Sequence, residues 1–168
     1  NGMSSIYRSL HINTSKRLMQ LSDYPMPEHM AEYPSHTEII EYFEAYADHF
    51  NVRRCMRFNT EVRKVEKAAD GAWELTLVDS QGVQRCQRFA NVVVANGHHW
   101  DARMVDFPGH FDGQQFHAHH YIDIRDPVNM AGKRVVVVGA GNSAMDVASE
   151  LGQALRMDMS IPKAQRTG

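Results

Sequence analysis

The most informative segment of the chain is Val135-Val136-Val137-Val138-Gly139-Ala140-Gly141-Asn142-Ser143-Ala144. Its four consecutive valines predict a β-strand directly before the glycine turn. After the turn, apolar residues that include Met145, Val147 and Leu151 recur at helical spacing. A Gly-x-Gly-x-x-Ala turn between a strand and a helix is the fingerprint of dinucleotide binding. We therefore predict an α/β fold that contains half of a nucleotide-binding unit.

Each residue type in this turn suits a bound pyrophosphate. Gly139 permits a tight turn, Gly141 lets the anion approach the backbone, and Ala144 keeps the helix close to the strand. The amides at the helix start, around Asn142 and Ser143, then hold the anion. We predict that these five residues bind a dinucleotide. The alternative is a glycine turn in an ordinary α/β protein.

The choice between the two nicotinamide cofactors is made about 20 residues past the first glycine, at the end of the next strand. We predict a helix from Asn142 to Ala154 and a strand over Met157–Ile161. Asp158 would lie inside that strand, whereas Lys163 and Arg166 follow it. A cation at this place accepts the 2′-phosphate, so we predict that Lys163 binds NADP.

Upstream of the turn, the sequence predicts one helix and a small antiparallel β-meander after a turn-rich first segment. Ser35 and Glu38 form a Ser-x-x-Glu capping box, and apolar residues follow at helical spacing up to Phe50. Beyond Asn51 the apolar period changes to two. The alternating residues are Val62, Val65, Trp73, Leu75, Leu77 and Val83, and the turn signals are Asp70-Gly71 and Gln81-Gly82. One further apolar run, Asn91–Ala95, predicts a strand covered on both faces of a parallel sheet, and the strand before the glycine turn is predicted over Lys133–Val138.

Composition excludes several classes of protein. The chain has 168 residues with 43% hydrophobic residues and a formal net charge of −2, which is typical of a globular protein and offers no basic surface for nucleic acid. Its longest apolar run, Val135–Ala140, is far shorter than the ~20 residues of a transmembrane helix. Cys55 and Cys86 fit neither a disulfide framework nor a thiolate zinc site. We expect free thiols and a cytoplasmic location.

The histidines raise the question of a metal site. There are 10 of them, and His98-His99 and His117-x-His119-His120 lie close together in the sequence. Imidazoles bind zinc, copper or iron, but no carboxylate or thiolate completes a ligand spacing here. We predict that the chain binds no metal.

A second motif, Phe111-x-Gly113-x-x-x-His117-x-x-x-Tyr121, precedes the glycine turn and has the spacing FxGxxxHxxxY. This pattern resembles that of the flavin-containing monooxygenases. The resemblance extends over nearly the whole chain, and its segments occur in the same order as in the family. The other matching segments are Tyr7-Arg8-Ser9-Leu10-His11-Ile12-Asn13-Thr14-Ser15-Lys16, Ser22-Asp23-Tyr24-Pro25, Val93-Val94-Ala95-Asn96-Gly97-His98-His99-Trp100, Phe107-Pro108-Gly109 and Gly141-Asn142-Ser143-Ala144-x-Asp146.

The resemblance implies a flavoprotein with two Rossmann-like dinucleotide-binding domains, one for FAD and one for NADPH. It implies that Asn13 is the catalytic asparagine beside the flavin ring, although an Asn before Thr14 could instead cap a turn or helix. The resemblance also implies that the four fingerprint residues, which lie on the connection between the domains, help to bind the cofactors. They are Phe111, Gly113, His117 and Tyr121.

The implied reaction is the NADPH- and dioxygen-dependent oxygenation of a small nitrogen or sulfur nucleophile through a C4a-hydroperoxyflavin. The cofactor carries the difficult chemistry, so no protein acid or base triad is required. One alternative is a Baeyer–Villiger or N-hydroxylating relative, and Tyr121-Ile122 in place of a Trp-Pro ending counts against the former. Another is that this chain alone is a non-catalytic NADP-binding fragment. The resemblance specifies neither a particular substrate nor an oligomeric state.

The resemblance also predicts a domain division. Residues 1–97 would be part of the FAD-binding domain, 98–131 the linker that carries the fingerprint, and 132–168 the start of the NADPH-binding domain. No Gly-x-Gly-x-x-Gly precedes Asn13, so we expect the first βαβ unit of the FAD domain to be missing. We expect an internal piece of an enzyme about three-fold longer, inactive by itself.

Overall fold

The computed structural model describes residues 5–157, with side chains up to Ala154. The chain divides into two compact units. The first unit contains the described residues up to Tyr42 and those from His98 onward, and the second is Phe43–Gly97. This division rests on contacts within the chain, and the division into cofactor domains at residues 97 and 131 stays a prediction.

The second unit contains the predicted antiparallel meander. Strands β1 (Thr60–Lys67), β2 (Trp73–Asp79) and β3 (Gln84–Phe89) form a sheet in the order β1-β2-β3. Both connections turn at a glycine with positive φ, Gly71 at 88° and Gly82 at 78°, a conformation that L side chains rarely adopt. The central strand β2 carries the buried side chains of the sheet. They are Leu75, Leu77 and Val78.

The helix predicted from the capping box is α2, His36–His49. The Ser35 amide donates to Glu38 Oε2 at 2.8 Å, and the Glu38 amide donates to Ser35 Oγ at 3.4 Å, so the reciprocal cap is formed. The hydrogen bond from the Ser35 amide lowers the pKa of the Glu38 carboxyl below its ordinary value. A shorter helix, α1 (Lys16–Met19), lies in the first segment, where the sequence indicates only turns.

Tyr42 on α2 holds the irregular first segment in place. It is almost completely buried with Met26, Met30 and Ile39, and we call these four residues the Tyr42 cluster. Its hydroxyl donates to the Tyr24 carbonyl at 2.5 Å and accepts a hydrogen bond from the Leu21 amide at 2.8 Å. One side chain thus satisfies two backbone groups of a turn that has no sheet or helix ladder of its own.

Two strand predictions are wrong for the described residues. The segments 91–95 and 133–138 contain no assigned strand. Within residues 5–157 the only sheet is the meander formed by β1, β2 and β3. Val93 is 87% exposed, although its strand is predicted to be covered on both faces, and Val136 is 85% exposed. A parallel strand depends on a hydrogen-bonded neighbour that is distant in sequence, and neither segment pairs with such a neighbour in residues 5–157.

The third helix, α3 (Asn142–Met157), is longer than its predicted extent. Met157 was predicted to begin a strand and is instead the last residue of this helix, because the apolar helical spacing continues past Ala154. The rest of that predicted strand, together with Lys163, lies outside the described residues. Over the described part of the chain, no helix combines the length and apolar character that crossing a membrane requires.

We predict that Tyr42→Phe lowers the free energy of unfolding by about 1–3 kcal/mol, because two partly buried backbone groups lose their partner. Urea denaturation followed by circular dichroism measures this loss. The control is Tyr33→Phe, since Tyr33 is 53% exposed and its loss should change stability by less than about 0.5 kcal/mol. Equal losses in the two variants would contradict the assignment.

Candidate functional site

The start of α3 has the electrostatics of an anion site. The helix begins directly after Gly141, and its first helical hydrogen bond runs from the Met145 amide to the Gly141 carbonyl at 3.1 Å. The amides of Asn142, Ser143 and Ala144 therefore have no acceptor within the helix. No acidic residue lies in the first turn. No acidic side chain of the first turn therefore offsets the partial positive charge of the helix terminus.

The glycines of the turn leave room for a ligand against the backbone. Gly139 has φ of 131°, which disfavours any L side chain there, and a Cβ at this position would lie 3.7 Å from Ala144 Cβ. A Cβ at Gly141 would meet no atom within 4 Å. The Gly141 backbone therefore faces open space, as the approach of a pyrophosphate requires. The residues present fit a dinucleotide, and binding by Gly139, Gly141, Asn142, Ser143 and Ala144 stays a prediction.

The FxGxxxHxxxY residues form local structure. A Cβ at Gly113 would lie 2.3 Å from ring atoms of Phe111, so this ring rests where only glycine leaves space. His117 Nδ1 accepts a hydrogen bond from the His119 amide at 3.0 Å and caps the 3₁₀ helix Ala118–His120. Tyr121 is fully buried. Cofactor contact by Phe111, 64% exposed, and by the other three residues stays a prediction.

The histidines do not assemble into a larger cluster. The rings of His98 and His99 have centroids 4.0 Å apart, and those of His119 and His120 are 5.2 Å apart. Across residues 5–157, no group of three or more His, Cys, Asp or Glu side chains is arranged to hold a metal ion. Cys55 and Cys86 are exposed free thiols.

Asn13 lies on the surface of the first unit. Its side-chain oxygen accepts a hydrogen bond from Thr14 Oγ1 at 3.5 Å. The residue that precedes α1 is Ser15, so Asn13 is not the N-cap of that helix. The backbone around Asn13 is anchored, since the Ile12 amide donates to the Pro34 carbonyl at 3.0 Å. Asn13 thus presents its amide from a fixed segment.

A buried group of side chains joins the fingerprint segment to α3. Tyr121 packs edge-on against Tyr7, with ring centroids 6.1 Å apart at an interplanar angle of 60°. Three further buried residues complete what we call the Tyr121 cluster. They are Met130, Val147 and Leu151. Burial, and after it the negative charge of Glu150, raises the pKa of the Tyr121 hydroxyl above its ordinary value.

The segment Tyr7–Ser9 is bonded on two sides. Towards α3, the Tyr7 hydroxyl donates to the Asp146 carboxylate and Ser9 Oγ donates to Glu150 Oε2 at 2.6 Å. Burial raises the pKa of the Tyr7 hydroxyl, and the hydrogen bond to Asp146 and its charge raise it further, so this group stays a neutral donor.

Towards the fingerprint segment, the Arg8 amide donates to the Ile122 carbonyl at 2.8 Å and its guanidinium pairs with Asp123 at 3.0 Å. Backbone hydrogen bonding from Arg125, and next the Arg8 side chain, lowers the pKa of the Asp123 carboxyl. Sequence reasoning missed these contacts. The only available signal was that Tyr7, Ser9 and Asp146 stand in the segments that match the monooxygenases.

A family model described as Flavin-binding monooxygenase-like matches residues 1–162. The chain is 39% identical to human "Flavin-containing monooxygenase 5" over 163 residues, which is 92% of this chain and 30% of that protein. It is 40% identical to "Dimethylaniline monooxygenase [N-oxide-forming] 2" of Mus musculus over 159 residues, which is 90% of this chain and 29% of that protein.

The similarity also holds in three dimensions. The S-allyl-L-cysteine S-oxygenase of Allium sativum superposes with a TM-score of 0.80 at 29% identity, over 89% of this chain and 35% of that one. A flavin-containing monooxygenase of Stenotrophomonas maltophilia, at 24% identity and a TM-score of 0.72 over 92% of this chain and 44% of that one, shares the fold. These similarities confirm the α/β class. They also confirm the prediction that this chain, with its antiparallel meander, is part of a two-domain flavoprotein. The chain belongs to the flavin-binding monooxygenase-like family, whose cofactors are FAD and NADPH.

Proposed function

We propose that the protein carrying this chain is an NADPH-dependent flavin monooxygenase that transfers one oxygen atom from dioxygen to a nitrogen or sulfur atom of a small molecule. The chain spans about 30% of the length of the curated relatives it matches, so the activity is assigned to the whole protein. One relative is named as N-oxide-forming and one structural neighbour as an S-oxygenase. Both names support a soft nucleophile as substrate.

The observation that carries the NADPH part of the proposal is the geometry at the start of α3. Three backbone amides there lack a helical acceptor, no acidic residue lies in the first helical turn, and a Cβ at Gly141 would meet no atom within 4 Å. Such a site holds the pyrophosphate of a dinucleotide by backbone donors alone. We assign Gly139, Gly141, Asn142, Ser143 and Ala144 to this role.

FAD, when bound, supplies the activation of dioxygen, and the chain contributes binding, orientation and exclusion of water. We assign the orienting role to Asn13, because its exposed amide offers both a donor and an acceptor on an anchored segment. For location we keep the cytoplasm, since exposed free thiols at Cys55 and Cys86 are compatible with a reducing compartment.

Activity is tested by supplying the full-length protein with FAD, NADPH and a panel of tertiary amines and sulfides in air. We expect stoichiometric bound flavin and products that are one oxygen atom heavier than the substrates, detected by mass spectrometry. Oxidation of NADPH by a correctly loaded flavoprotein without oxygenated product from any amine or sulfide would contradict the proposal.

We predict that Gly141→Ala weakens NADPH binding by about 10-fold or more and leaves the FAD content unchanged. The added Cβ meets no protein atom within 4 Å, so the fold tolerates it, but it occupies the space that the pyrophosphate needs. Flavin reduction followed by stopped-flow absorbance over a range of NADPH concentrations measures the effect.

The matched control for this variant is Gly152→Ala. Gly152 lies on α3, about 16 Å along the helix from the turn at Gly141 at 1.5 Å per residue, and a Cβ there also meets nothing within 4 Å. It should leave NADPH binding unchanged and stabilise α3 slightly, since alanine is the better helix former. Wild-type affinity in a folded Gly141→Ala protein would show that NADPH binds elsewhere.

We also predict that Lys163→Ala weakens NADPH by about 10-fold to 100-fold and leaves NADH nearly unchanged, because one charge-assisted contact to the 2′-phosphate is lost. The measurement is the ratio of kcat/KM for the two cofactors. Lys64→Ala removes an exposed cation from the meander, where it pairs with Glu66, and should not change this ratio. If Lys163→Ala affected both cofactors equally, the lysine would have no role in selecting NADPH.

A further inference from the structure

We propose that Tyr7 is a positioning residue that aligns the NADPH turn with the segment that carries Asn13. Its hydroxyl holds Asp146 of α3, and Ser9 holds Glu150 one turn further along. We call this pair of hydrogen bonds the α3 clamp. The inference rests on the proposed function, because it concerns how two parts of the same cofactor machinery are kept in register.

The clamp is a two-point attachment. Asp146 and Glu150 are four residues apart on α3, so their side chains lie on the same face of the helix, with Cβ atoms about 5–6 Å apart. Tyr7 and Ser9 are two residues apart and meet one carboxylate each. A single hydrogen bond would let the helix pivot, whereas two bonds one turn apart restrict both its rotation and its sliding.

The Tyr7 bond is the stronger half of the clamp. Tyr7 is buried in the Tyr121 cluster with its ring edge against Tyr121, whereas the Ser9 contact is exposed. The Tyr7–Asp146 bond is partly buried on the tyrosine side, while Asp146 itself is exposed. Partial exclusion of water strengthens a hydrogen bond to a charged acceptor. The hydrogen bond from the Arg8 amide to the Ile122 carbonyl holds the Tyr7–Ser9 segment in place when NADPH binds at the start of α3.

The clamp connects the two predicted cofactor regions through a few residues. Asp146 lies one helical turn after Asn142, so any movement of α3 moves the pyrophosphate turn by the same amount. On the other side, the segment from Tyr7 leads to Asn13 and is fixed on the way by the hydrogen bond from the His36 amide to the Leu10 carbonyl at 3.0 Å. A misplacement of about 1 Å between reacting groups can lower a rate by about 100-fold.

The test uses Tyr7→Phe in the full-length protein, because phenylalanine keeps the buried ring and removes only the hydroxyl. We expect the limiting rate of flavin reduction by NADPH to fall by about 10-fold to 100-fold. The FAD content and the reduction of the flavin by dithionite should not change. Asp146→Ala should match this loss, and Asp146→Asn should restore most of the rate because its amide oxygen still accepts from Tyr7.

The double variant separates a shared role from two independent ones. If the Tyr7 hydroxyl acts through Asp146, then Tyr7→Phe combined with Asp146→Ala reduces the rate no further than either change alone. Tyr42→Phe is the matched control, since it also removes a buried tyrosine hydroxyl with two hydrogen bonds from the first unit. It should lower the melting temperature and leave the reduction rate within about two-fold of wild type.

A Tyr7→Phe protein that loses melting temperature as Tyr42→Phe does, but keeps the wild-type reduction rate, would overturn the positioning role. Failure of the proposed function would look different, since the wild-type flavin itself would not be reduced by NADPH. In that case the thermal unfolding of the wild type, Tyr7→Phe, Asp146→Ala and the double variant decides whether the clamp exists. Additive losses from Tyr7→Phe and Asp146→Ala would then overturn it.

Discussion

The burial of Tyr121 against Tyr7 and the apolar side of α3 is the contact on which the arrangement of the first unit depends. It brings together three segments that are far apart in the chain, namely the start, the fingerprint and the last helix. Around this apolar centre the polar bonds of Tyr7, Arg8 and Ser9 acquire fixed partners. The packing brings the segments close and the hydrogen bonds set their register. Without the buried rings the same polar groups would be bonded to water.

Local signals in the sequence predicted those parts of the fold that depend on neighbouring residues. The reciprocal bonds of Ser35 and Glu38 and the two glycine turns of the meander formed as expected, since each needs only a few adjacent positions. The predicted strands at 91–95 and 133–138 had the right composition, but the described residues offer them no ladder partner. A β-strand forms only when a second strand accepts and donates its backbone hydrogen bonds, so a run of valines alone does not determine whether a strand forms.

The candidate site shows the same limit. The helix start at Asn142 and the open space at Gly141 were expected from the residue types, and the structure has both, but the strand predicted before the turn is absent. The bond from Tyr7 to Asp146 joins residues 139 positions apart, and no spacing rule reaches that far. The fingerprint and the other matching segments, taken in order, were more specific for the family than either motif alone. His117 and Gly113 of the fingerprint nevertheless make contacts that its spacing alone did not indicate, a 3₁₀ cap and a seat for an aromatic ring.

The exposed valines have a consequence for how the protein must be assembled. Short runs of β-branched residues with no charge and no proline are the sequence signature of intermolecular β-aggregation. The run at Val135 is preceded directly by Lys133 and Arg134, which act as gatekeepers because charge repulsion opposes stacking of identical chains. The run Val92-Val93-Val94 has asparagine and alanine beside it and no such protection. This second run is therefore the point at which charge opposes self-association through β-pairing least.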